Sequence, residues 1–123
     1  MAWCVGAGCG LLALAGPVAA DGDAVSGRKI SEQHCSRCHV IGDYNKYGGI
    51  GSTPSFQGIV KYMPDYRERF ATFFSRRPHP AFLTIKGQRR PMPHLPPNAV
   101  PVTLPDTALA DLVAFAETFV GTK

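Results

Sequence analysis

Two thiols and an imidazole stand within five residues of one another, in the run His34-Cys35-Ser36-Arg37-Cys38-His39. Side chains three and four apart share one face of a helical turn, so a single turn can present Cys35, Cys38 and His39 to one flat partner. Cys-x-x-Cys-His is the attachment signature of a c-type haem, in which both thiols bond to porphyrin vinyl groups and the histidine ligates iron. Two other chemistries use similar residues. A thioredoxin-like redox disulfide needs a βαβ setting, and no strand-like run precedes Cys35. A zinc site made of His34, Cys35, Cys38 and His39 would pack four ligands too closely to surround a tetrahedral ion, and no second ligand pair follows downstream.

With His39 on one face of the iron, the other face needs a ligand, and Met63, Met92, His79 and His94 are the candidates. Met63, in Tyr62-Met63-Pro64, reads as packing beside a middle helix. Met92 lies in Gly87-Gln88-Arg89-Arg90-Pro91-Met92-Pro93-His94-Leu95-Pro96-Pro97. The prolines there exclude helix and central strand, and their restricted backbone suits holding one side chain in place. Met92 is therefore the expected sixth ligand, against the alternative of a gap-filling methionine. His94 is its rival, because imidazole also binds iron well. As acid-base groups His79 and His94 are the only candidates, and both read as solvent-exposed loop residues.

Several elements must position these groups. A first helix is expected over residues 24–34, capped by Asp21 or Asp23, with Val25 and Ile30 on its apolar side. Gly27 inside that helix costs about 1 kcal/mol relative to Ala, which close approach of another helix would offset. Residues 40–58 read as loop, interrupted by Gly42, Gly48, Gly49, Gly51 and Pro54. Within it Tyr44, Tyr47 and Phe56 could line a haem edge or simply pack. Pro54 is a candidate to offer its carbonyl to the second nitrogen of His39 and so fix the tautomer. A middle helix is expected over residues 66–74 from the spacing of Phe70, Phe73 and Phe74, ending at Arg76-Arg77-Pro78-His79-Pro80 with a short turn beyond. The clearest helix follows Asp106, its expected cap. It places Leu109, Leu112, Val113, Ala116, Phe119 and Val120 on one face, with Asp111 and Glu117 off it.

At 123 residues the chain is one domain by length, and 45% hydrophobic against 18% charged residues is the composition of a folded protein. Its 11 prolines and 13 glycines argue against long continuous elements. A domain of this size often needs a cofactor to complete its core. The formal charge is +4, but Arg28, Lys29, Arg76, Arg77, Arg89 and Arg90 are scattered, which speaks against nucleic acid and suits an acidic docking patch. Residues 1–20 are apolar and uncharged and end Val18-Ala19-Ala20, as in a signal peptide, although no Lys or Arg stands before the apolar run. If retained, the same segment would be an anchor of marginal length for a span. Cleavage would remove Cys4 and Cys9, leaving residues 21–123 as a periplasmic domain with only Cys35 and Cys38.

Gly27-Arg28-Lys29-Ile30 leads to the Cys35–His39 motif, Pro91-Met92-Pro93 follows, and Leu104-Pro105-Asp106 opens the last helix. Over nearly all of residues 21–123 this resembles a class I monohaem cytochrome c of the small bacterial periplasmic type. The resemblance implies an all-α cytochrome c fold, three to five short helices around one covalent haem c, with the first and last helices crossing near Gly27 and Phe115 or Phe119. It implies attachment at Cys35 and Cys38, iron ligated by His39 and Met92, and an exposed haem edge. Ser31 departs from the family pattern, since many members place an aromatic four residues before the first cysteine, and Ile30 is expected to take over that packing.

The implied function is electron transfer, not catalysis, because iron closed on both faces offers no open site, and a Met/His pair raises its potential. Partners would be redox proteins such as a dehydrogenase, a quinol-oxidising complex or an oxidase, met as a monomer or as a subunit of a redox complex, with no small-molecule substrate. The alternatives are a gas-binding or sensing c-type haem protein, whose best-known form carries its motif near the C-terminus, a cytochrome subunit of an oxidoreductase complex, and a haem enzyme such as a peroxidase.

Overall fold

The computed structural model describes residues 21–90 and 101–122. The described residues are mostly helical, with four α-helices among them: α1 (Ala24–Ile30), α2 (Phe56–Tyr62), α3 (Tyr66–Thr72) and α4 (Ala108–Glu117). Two strands, β1 (Leu83–Ile85) and β2 (Val102–Leu104), pair in parallel with Leu83 opposite Val102 and Ile85 opposite Leu104. The all-α expectation is corrected to this extent. Three-residue strands carry too little alternation to stand out in sequence, and parallel strands need a long connection. The proline-rich residues joining β1 to β2 supply it, so the ends of the segment containing Met92 are tied together, with Val102 N donating to Phe82 O at 2.8 Å and Lys86 N to Leu104 O at 2.9 Å.

Asp23 caps α1: its carboxylate accepts from Val25 N at 2.9 Å and from Ser26 Oγ at 2.8 Å. These bonds hold its carboxyl below the ordinary aspartate value, the Ser26 hydroxyl contributing most. α1 packs most extensively on α4. The contact needs glycine, because a Cβ on Gly27 would run into the Asp111 carbonyl and come within 2.9 Å of the Phe115 Cβ. The expected offset for a glycine inside a helix is therefore present, with Phe115 as the aromatic.

Asp111 is placed differently from its expected position off the apolar face. It is buried, and its carboxylate accepts from the backbone N–H of Asp23 at 2.8 Å, tying α4 to the start of α1. A buried carboxylate needs such a donor, and one residue's spacing cannot reveal that the donor lies on another helix. At the head of α4 the cap position is Thr107, while Asp106 only accepts from Thr107 N at 3.1 Å.

α2 lies partly where a loop is expected. Ser55 Oγ accepts from Gly58 N at 3.0 Å, so a residue that looks like a breaker supplies the cap donor instead. α3 stops at Thr72, and Phe73–Ser75 continue it as a 3₁₀ turn. The core gathers Ile30, Phe56, Phe70, Leu83, Ile85, Leu104, Leu112 and Phe115. Phe56 meets Phe70 edge to face at 4.9 Å, which locks α2 against α3.

Candidate haem-attachment site

α1 does not run straight into the motif. Over Ser31–Cys35 the helix widens to i→i+5 bonding, with Ser36 N donating to Ser31 O at 3.1 Å. Ser31 is fully buried. Its hydroxyl donates to Gly27 O at 2.7 Å, while the apolar contact comes from Ile30. Widened turns of this kind re-aim the side chains that follow and are frequent at functional sites. Beyond it Cys38 N and His39 N both donate to Cys35 O, at 3.1 and 2.9 Å, so one tight turn carries Cys35, Cys38 and His39.

The two thiols have different surroundings. Cys35 packs against the core, and burial, with a smaller contribution from Cys38, pushes its thiol up to about 12. Cys38 is exposed. Among the described residues no three His, Cys, Asp or Glu side chains are grouped to hold a metal ion.

His39 is fixed from both sides. Its Nδ1 donates to the Pro54 carbonyl at 2.7 Å, the partner the tautomer argument sought, and Phe56 meets the ring edge to face at 5.4 Å. Burial lowers the His39 pKa, the Pro54 bond opposes this, and the neighbouring His79 adds to the lowering. A neutral ring with its proton on Nδ1 leaves the Nε2 lone pair free for a metal. Of the three aromatics in the loop, only Phe56 packs on His39 in this way, whereas Tyr44 and Tyr47 are exposed.

Asn45 holds the loop in place, and no motif announced it. Its Oδ1 accepts from Ile41 N at 2.6 Å, and its Nδ2 donates to Ser36 O at 2.9 Å and His39 O at 2.8 Å. Ile50 N donates to Cys38 O at 2.9 Å, and Gly49 turns with φ +76° tightly against the Cys38 and His39 backbone. The sequence signal was weak: a single Asn in a glycine-rich loop, of a type that bonds local backbone.

The placement of His79 corrects its reading as an exposed loop residue. It begins a 3₁₀ turn at His79–Ala81, is half-buried, and lies with its ring nearly parallel to that of His39, 7° apart, at a centroid separation of 6.1 Å. Its Nδ1 bonds the Arg76 carbonyl at 2.8 Å and its ring edge meets Phe73 at 5.2 Å. Nearby, Arg90 reaches Pro80 O at 3.5 Å, and its Nε is buried without a partner among the described residues, a donor that an anionic group would satisfy. Met63 ends α2, half-buried, as its packing role requires. Met92 and His94 lie outside the described residues.

The donor set fits a covalently attached haem. Two thiols share one turn with an imidazole whose remaining nitrogen is free, and the Arg90 Nε beside Pro80, left without a partner among the described residues, suits a carboxylate. No family model, curated protein or solved structure matches this chain.

Proposed function

We propose that this protein is a one-electron carrier of the cytochrome c type, exported to the periplasm, with one haem c attached through Cys35 and Cys38. The observation that carries the reading is the tightly bonded turn that brings both thiols and His39 together, with His39 Nδ1 held by Pro54. The haem, when bound, supplies a reversible ferric–ferrous couple. The chain's own residues do the rest. Pro54 orients His39 and raises its basicity as a ligand. Asn45 and Gly49 keep the turn from opening. Cys35 faces the core and Cys38 faces solvent, so one attachment point is anchored inside while the other lies where a partner protein can approach. Arg90 is the candidate for holding a propionate.

A second side chain from the sequence after α3 would hold the opposite face of the haem, and Met92 is the candidate that the sequence resemblance offers. A mildly basic surface then favours association with an acidic patch on a dehydrogenase, a quinol-oxidising complex or an oxidase. The test is exposure of the purified ferrous protein to carbon monoxide during a redox titration. A carrier gives a single one-electron wave and an unchanged spectrum under the gas. Rapid formation of a carbonyl adduct at rest would favour the gas-binding reading, with His79 as a residue beside the bound gas.

A further inference from the structure

We propose that His79, not Met92, is the second axial ligand of the iron; this rests on the haem reading above. Three observations meet at His79. The rings of His39 and His79 are parallel to within 7° and their centres are 6.1 Å apart. A metal–imidazole bond of about 2.0 Å on each side, with about 1.1 Å from each ring nitrogen to its ring centre, separates two opposed imidazoles on one metal by about 6 Å. Ring centres in an offset parallel pair also lie about 4.5–7 Å apart, so the observed spacing accommodates a ligated pair, and the hydrogen bonds of the two rings carry the assignment.

Both rings also carry the same outer contact. His39 Nδ1 bonds Pro54 O at 2.7 Å and His79 Nδ1 bonds Arg76 O at 2.8 Å. A carbonyl can only accept, so each ring holds its proton on Nδ1 and keeps an Nε2 lone pair, the arrangement found in nearly all metal-ligating histidines. Finally, both rings are braced by an aromatic edge, Phe56 at 5.4 Å for His39 and Phe73 at 5.2 Å for His79. The bracing comes from α2 and from the 3₁₀ turn after α3, so each imidazole is positioned by a separate element. A solvent-exposed loop histidine would need none of this. Imidazole in place of thioether also favours the ferric state, because methionine ligation is what raises the potential in Met/His sites.

The test uses the full exported chain with its haem attached, confirmed by intact mass before any spectrum is taken. Ferric electron paramagnetic resonance and near-infrared magnetic circular dichroism then compare wild type with His79→Ala, His79→Met and Met92→Ala. Wild type and Met92→Ala should both show low-spin bis-imidazole signals without the thioether charge-transfer band. His79→Ala should turn high-spin and recover the low-spin signal on addition of free imidazole. His79→Met should gain the thioether band and titrate at a higher potential than wild type. A thioether band in wild type that is lost in Met92→Ala overturns the assignment of His79 while leaving the haem reading intact. A mass without haem overturns both, and the two failures are told apart at the first step. Should His79→Ala fail to fold, the wild-type and Met92→Ala spectra alone decide.

Discussion

Asn45 satisfies three backbone groups with one amide, Ile41 N, Ser36 O and His39 O, and two of these flank the thiols. Truncation strips the partners from three part-buried backbone groups at once, so Asn45→Ala should cost about 2 kcal/mol. In a domain of this size that lowers the melting temperature by roughly 8–16 °C, measured by circular dichroism. Asn45→Asp keeps the acceptor for Ile41 N but loses both donors, and should fall between Ala and wild type. The thiols give a second prediction. In the haem-free folded chain Cys35, with its thiol pushed up to about 12, is almost wholly protonated at neutral pH and a poor nucleophile. Iodoacetamide should therefore modify Cys38 well before Cys35, with the difference lost in denaturant, as peptide mapping would report.

At the scale of the element, the joint between α1 and α4 is the most demanding contact in the fold. Gly27→Ala gains about 1 kcal/mol in helix propensity, yet its Cβ meets the Asp111 carbonyl, which cannot retreat without moving α4. Overpacking of this kind costs about 1–3 kcal/mol, so the variant should be less stable in urea than wild type, and Gly27→Val less stable still. Asp111→Asn keeps an acceptor for Asp23 N and should be milder than Asp111→Ala, which removes it. The Asp23 cap of α1 and the Leu112 and Ala116 part of the α4 stripe were legible because periodicity and capping are local signals, whereas Phe119 and Val120 of the expected face lie beyond the helix end at Glu117, Val120 exposed, and Phe115 and Asp111 are buried instead. Gly27 was legible too, since a glycine inside a helix asks for a neighbour. Less local features did not show. Asp111 looked like a solvent-facing acid because its partner stands 88 residues away. β1 and β2 are three residues each and define one another only by pairing. His79 and Asn45 act through backbone carbonyls and amides, which every residue possesses and no motif marks.

Among the described residues the core gathers Ile30, Phe56, Phe70, Leu104, Leu112 and Phe115, with Cys35 packed against it and His39 against Phe56. Burial against a covalently held porphyrin would add apolar contact that the polypeptide alone lacks, and a group bound only by the native state stabilises it. The double variant Cys35→Ser/Cys38→Ser, exported without haem, should melt over a broader and lower range than the wild type by calorimetry. Among the described residues no helix is long and apolar enough to cross a membrane, and the export assignment rests on residues 1–20, outside them.

Attachment of one haem through both thiols is the claim on which the rest depends. Intact mass and the pyridine haemochrome spectrum of the exported protein, taken under denaturing conditions, test it together. The account predicts a polypeptide heavier by one haem, a haemochrome of a porphyrin with both vinyl groups saturated, and no thiol left for alkylation. A chain of bare polypeptide mass with Cys35 and Cys38 both open to alkylation would contradict it.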